Sequence, residues 1–143
     1  MNHDLIVSQS IIINADVKKV WNALTDPTII KEYLFGTETI TDWKVGSPVI
    51  FQGEYNGQKY KDKGTILEFT PMETISYSYW SAFSKVDDTP ENYSKVTYTV
   101  KPIDATTTEF TWTQKGFANE DGYKHSKDGM TDFLNGIKAV MEK

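Results

Sequence analysis

Between Ile75 and Gln114, apolar and hydroxyl-bearing side chains alternate with a period of two, and few folds accept that pattern. Tyr77 and Tyr79, then Val96, Tyr98 and Val100, then Phe110 and Trp112 share one side of their strands. Ser76, Ser78, Thr97, Thr99, Thr111 and Thr113 share the other. Successive side chains of a strand point to opposite faces, so the pattern predicts an antiparallel sheet buried on one face and wet on the other. Turn residues punctuate it. Asn56-Gly57 predicts a tight hairpin between strands over 49–55 and 59–69, because such a turn needs positive φ angles. Pro71-Met72-Glu73 leads into a strand over 75–80, and Pro102-Ile103-Asp104-Ala105 joins strands over 94–101 and 107–114. Consecutive hairpins make a meander.

Helical periodicity flanks the strands. Leu5 to Ile13 reads as a first strand, and Asn14-Ala15-Asp16 then supplies side chains that accept the free N–H groups of a helix start. Val17, Val20, Trp21 and Leu24 give that short helix an apolar face. Asp26-Pro27 predicts a second helix to about Leu34, with Ile30, Tyr33 and Leu34 inward. At the other end Met130, Phe133, Leu134, Ile137, Val140 and Met141 form a continuous apolar stripe, on a helix that starts between Gly122 and Asp128. A helix with such a stripe must dock, and the aromatic face of the sheet is the surface on offer. The expectation is an α+β fold over residues 1–143 as one domain: a curved antiparallel sheet, two short helices and a long C-terminal helix.

Composition narrows the function. The net charge is −5 and the lysines are scattered, so there is no basic stripe for a nucleic-acid backbone. With no cysteine, thiol catalysis and Cys-based zinc sites are excluded. The N-terminus lacks a basic segment, and Ser8, Gln9 and Ser10 break the apolar stretch that follows it, so neither a signal peptide nor a membrane span is read. A cytoplasmic location is the expectation. No Ser-His-Asp arrangement, Walker loop or dinucleotide fingerprint occurs, and no cofactor or metal is expected. His3 and His125 are far apart, and the acidic loop with Asp87, Asp88 and Glu91 lacks the oxygen spacing of a calcium loop.

Several segments resemble, in order and spacing, the START-like or helix-grip (SRPBCC) superfamily, in the branch related to the activator of Hsp90 ATPase. Ala15 to Pro27 is similar to that branch's A-x-x-x-x-V-W-x-A-L-T-D-P opening, and Trp43-Lys44-Val45-Gly46 to its W-x-x-G entry to the third strand. Gly64 to Pro71 followed by Ile75-Ser76-Tyr77 resembles its G-x-V-L-E-x-x-P…L-x-Y hairpin. Gly129-Met130 stands where the branch usually has Gly-Trp at the start of the closing helix. The resemblance implies a six-strand meander after the two helices, and a small hydrophobic molecule, lipid-like or polyphenol-like, held between sheet and helix. It also implies a second reading, a chaperone partner or other protein interaction in stress response, and a third, a cyclase or hydrolase. Eukaryotic co-chaperones of this branch carry a further N-terminal domain that has no counterpart in these residues.

The expected lining of such a cavity is Phe51, Tyr55, Ile66, Tyr77, Tyr79, Tyr98, Phe110 and Trp112 beneath Phe133, Leu134 and Ile137. The competing expectation is that these residues fill an ordinary core, since interiors pack at a density of about 0.75. Gln52 and Gln114 are candidates for orienting a ligand. An enzyme would need an ionisable group in the cavity. Glu109 is outward by alternation, and Glu68 shares the phase of Gly64 and Ile66 on a strand whose two faces are both apolar. The long polar loop from Ser81 to Asn92 is expected to act as a lid over one end of the cavity.

Overall fold

A computed structural model describes residues 1–143, in which the alternation is laid out on one antiparallel sheet. Its strands are β1 (Asn2–Ile13), β2 (Glu38–Ile40), β3 (Pro48–Tyr55), β4 (Gln58–Thr70), β5 (Thr74–Tyr79), β6 (Ser94–Asp104) and β7 (Thr107–Phe117). Helices α1 (Val17–Thr25) and α2 (Pro27–Tyr33) follow β1, and α3 (Glu120–Met141) closes the chain. The spatial order is β1-β7-β6-β5-β4-β3-β2, so strands β2 to β7 form the meander and β1 returns to pair with β7. The three-residue β2 carries no periodic signal of its own and is held by its pairing of Thr39 with Phe51.

The helix starts rest on side-chain caps. Asp16 accepts from the Lys19 N–H at 2.8 Å, and Asp26 from the Thr28 N–H at 2.9 Å with Pro27 behind it. Helix α3 begins at Glu120, before the interval predicted from the stripe. Asn119 caps it by accepting from the Gly122 N–H at 2.8 Å. Its first turns are polar, so the apolar stripe marks only the later part of the helix, and Gly129-Met130 lies in mid-helix instead of at the start.

A bulge decides the phase of β4. Ile66 pairs with Tyr77 and Glu68 with Ser76, so two steps on β4 match one on β5 and Leu67 is the extra residue. Inward residues therefore run from Ile66 to Phe69, which pairs with the fully buried Ile75. Glu68 turns outward and is exposed. That is why both faces of this strand read as apolar. Nearby, β4 and β5 approach so closely that a Cβ on Gly64 would lie 1.5 Å from the Ser78 carbonyl oxygen.

Helix α3 docks over the β1 side of the sheet. Lys138 Nζ donates to the Ile12 carbonyl at 2.7 Å, and Gln9 Nε2 donates to Thr131 Oγ1 at 2.9 Å. Met130, Leu134, Ile137 and Met141 are buried on its inner side with Ile13, Val20, Leu24 and Phe110. At the opposite edge, Tyr55 is 65% exposed and does not belong to the interior. It immediately precedes the Asn56-Gly57 turn (φ 51° and 78°), and residues 54 to 59 are all exposed because nothing packs over the hairpin tip.

Two contrasts test this architecture by chemical denaturation. Leu134→Ala should cost about 3 kcal/mol, as truncation of a fully buried leucine does, whereas Tyr55→Ala should stay within about 0.5 kcal/mol. Gly64→Ala should destabilise by about 3 kcal/mol through overpacking, whereas Gly129→Ala, which meets nothing within 4 Å, should stabilise α3 by about 0.5–1 kcal/mol.

Candidate functional site

Because α3 sits to one side, the interior between sheet and helix is solid at one end and open at the other. At the solid end Ile66, Phe110, Leu134 and Ile137 are 0% exposed and do not line the cavity. These four sequence-predicted lining residues belong to the hydrophobic core, Leu134 and Ile137 on the helix stripe and Ile66 and Phe110 on the sheet. At the other end a cavity of about 240 Å³ is lined by Leu34, Phe35, Thr37, Phe51, Asp62, Tyr77, Tyr79, Val96, Trp112, Gln114 and Phe133. Phe51, Tyr77, Tyr79, Trp112 and Phe133 are thus brought together as expected lining residues, Tyr55 lies outside, and Tyr98 stands one layer behind the wall.

The walls are aromatic and mutually supported. Phe51, Tyr77 and Tyr79 form a triangle with ring centroids 5.4, 6.0 and 6.4 Å apart. Phe133, the side chain of α3 that reaches the cavity, meets Trp112 edge-on at 4.9 Å. Trp112 in turn lies 4.7 Å from Tyr98, whose hydroxyl bonds the Tyr77 hydroxyl at 2.6 Å. Tilted and edge-on pairs at these separations are favourable arrangements of ring quadrupoles. Burial drives the hydroxyls of Tyr77, Tyr79 and Tyr98 well above the usual phenol range, so they remain protonated donors.

Polar groups are few and specific. Asp62 is 7% exposed, on an inward position of β4. Its Oδ2 accepts from the Tyr79 hydroxyl at 2.7 Å and its Oδ1 from the Ala82 N–H at 2.9 Å. The negative charge of Asp62 adds to burial in raising Tyr79. Thr37 Oγ1 bonds Tyr60 Oη at 2.5 Å, and Gln114 Nε2 reaches Ser94 Oγ at 3.5 Å. The Trp112 Nε1–H is buried with no acceptor. Gln52, by contrast, pairs with Glu38 and bonds it at 3.4 Å on the outer face, away from the cavity.

Asp62 escaped the sequence reading although a signal for it exists. It shares the parity of Gly64 and Ile66, while Lys59, Lys61 and Lys63 occupy the other face of the same strand. Composition alone sees an acid among lysines; alternation places it inside. Leu34 and Phe35 come from the turn after α2, where Phe35 (φ 56°) and Gly36 (φ 86°) are both left-handed. Phe35 is held 88% exposed beside the cavity. The loop from Ser81 to Asn92 lines none of the cavity. It is fastened to the sheet by Ala82 on Asp62, by the Trp80 Nε1 bond to the Val86 carbonyl at 3.2 Å and by a Lys63–Asp88 ion pair, so it does not lie where a lid was expected.

No helix is long and apolar enough to cross a membrane. No curated protein matches the chain. The family model for Activator of Hsp90 ATPase homolog 1-like protein matches residues 14–142. Among solved structures, the solution structure of ChR145 from Cytophaga hutchinsonii is 42% identical, with a TM-score of 0.82 over 99% of this chain and 97% of that one. MLL2253 from Mesorhizobium loti is 24% identical (TM-score 0.75; 95% of this chain and 96% of that one). PFC0360w, an HSP90 activator from Plasmodium falciparum, is 19% identical (TM-score 0.74; 96% of each chain). With a long closing helix on a seven-stranded antiparallel sheet, the chain belongs to the family of Activator of Hsp90 ATPase homolog 1-like proteins and has its helix-grip fold.

Proposed function

We propose that this protein holds a small hydrophobic or aromatic molecule in the cavity between β3–β7, the turn after α2 and α3, without chemically transforming it. The observation that carries the reading is the aromatic-walled space of about 240 Å³ beside Trp112 and Phe133. Interiors ordinarily close such spaces. An apolar cavity of about 150 Å³ accommodates benzene, so this one suits a substituted single ring or a small fused pair. It lies below the range of about 300–1,000 Å³ typical of drug-sized ligands, which argues against a long acyl chain. Binding would come from desolvation of ligand and wall, at ~25 cal/mol per Å² of apolar surface. Asp62, Thr37, Gln114 and the unpaired Trp112 N–H would fix orientation.

A hydrolase or cyclase needs a group able to exchange protons with a bound molecule. Glu68 is outside, and Asp62, the single carboxylate in the lining, already accepts two hydrogen bonds from the protein. A chaperone partner draws its support from the family and from a structure whose 19% identity speaks for the fold alone.

Titration with 2-naphthol, followed by two-dimensional NMR, tests the binding reading. The expected dissociation constant is about 100 µM, or ~−5.5 kcal/mol. The Trp112 indole N–H resonance should move, while that of Trp80, bonded to Val86, should stay in place. Phe133→Trp, which adds volume at the cavity wall, should weaken binding by about tenfold or more. Titration of 2-naphthol and a panel of comparable one- and two-ring compounds without any movement of the Trp112 signal would refute the proposal.

A further inference from the structure

Asp62 does more than the binding reading requires of it. It is a charged side chain more than nine-tenths buried in an aromatic-walled cavity, and none of the protein's three ion pairs includes it. The adjacent Lys63 pairs with Asp88, and Lys61 is exposed on the opposite face of β4. A buried carboxylate without a counter-charge is costly. Two donors relieve part of that cost, the Tyr79 hydroxyl at 2.7 Å and the Ala82 N–H at 2.9 Å. An ionised carboxylate offers about four lone-pair sites, so about half remain for a further donor.

The surroundings favour one kind of donor. Tyr79, which bonds Asp62, also lines the cavity, and the Phe51 and Tyr77 rings lie 6.0 and 6.4 Å from its ring. Ring faces are negative, and a cation within about 6 Å of a centroid is attracted by them. A carboxylate in the lining of an aromatic-walled cavity supplies both parts of a site for an organic cation: the acid gives the counter-charge and the rings can accept the positive alkyl groups beside it. An anion entering the same space would face Asp62 at close range in a low dielectric.

We infer that the cavity selects small arylalkyl ammonium compounds, with the ammonium group on Asp62 and the aromatic body among Phe51, Tyr77, Trp112 and Phe133. This rests on the proposed binding role of the cavity and specifies its ligand class. The alternative role of Asp62 is architectural, as the anchor of the Ser81–Asn92 loop through Ala82. An anchor alone gives no preference among ligands of equal shape.

Three probes of similar size separate the possibilities on the unaltered protein at neutral pH: 2-phenylethylamine, 2-phenylethanol and phenylacetate, titrated by calorimetry with the Trp112 indole N–H as the second readout. The amine should bind at least about tenfold more tightly than the alcohol, and the carboxylate should be weakest. Asp62→Asn, which keeps an oxygen and the side-chain shape, should bring the amine to the affinity of the alcohol. Alcohol or carboxylate binding as tightly as the amine overturns the cation assignment and leaves the cavity reading standing. An unchanged amine preference in a folded Asp62→Asn protein also overturns it. If none of the three, and no 2-naphthol, moves the Trp112 signal, the cavity reading fails and this inference with it. The wild-type ranking decides the matter even where Asp62→Asn does not fold.

Discussion

The structure depends on where α3 comes to rest. Leu134, Ile137 and Met141 are at most 1% exposed, in one cluster with Ile13 and Phe110 of β1 and β7 and with Val20 and Leu24 of α1. Lys138 on the Ile12 carbonyl and the Asn14 N–H on Glu142 at 2.6 Å hold the same edge. A single helix covers roughly 10 Å of width, whereas seven strands at about 4.8 Å spacing span far more. Packed hard against one side, the helix leaves the middle of the sheet roofed only by Phe133, the α1–α2 pair and the turn at Phe35. The cavity follows from that mismatch of widths.

The same asymmetry explains what was legible in the sequence. Alternation through Tyr77, Tyr98 and Trp112 gave the inner face of the sheet because each strand there is regular, and its hydroxyl face pairs in register, Ser8 with Thr113 at 2.8 Å and Ser10 with Thr111 at 2.7 Å. The stripe from Met130 to Met141 gave the helix that closes over it. Neither pattern contains the lateral position of α3, which decides whether an inward residue touches space or another side chain. Phe110 and Trp112 are equivalent by periodicity, yet one is sealed in the core and the other lines the cavity. Period-two reasoning also fails where the period itself breaks: the Leu67 bulge reverses Glu68, a displacement that only pairing with β5 reveals.

Asp62 marks a different limit. Read as composition, Lys59-Tyr60-Lys61-Asp62-Lys63 is a charged solvent-facing run; read as a strand, it places three cations outside and one anion inside. The second reading follows from parity with Ile66, but it predicts a buried acid, which general experience of interiors disfavours. Sites of function are where such local rules are expected to be broken with compensation elsewhere. Here the compensation is visible, in the Tyr79 hydroxyl and the Ala82 N–H.

The cavity and this buried acid are linked energetically. A dry apolar void costs about 24 cal/mol per Å³, so about 240 Å³ would cost ~6 kcal/mol if it were wholly apolar and sealed. That is comparable with the total stability of an ordinary domain, about 5–15 kcal/mol. Such a void is sustainable only if it is neither wholly apolar nor sealed. Asp62, Thr37 and Gln114 give water polar partners on the lining, and the exposed Phe35 marks a side facing solvent. Water beyond the reach of those groups would meet only aromatic walls and lack the two to four polar partners it needs. A molecule that answers Asp62 with a donor and the rings with apolar surface replaces that water at a gain on both counts, and by mass action its binding stabilises the fold that leaves room for it.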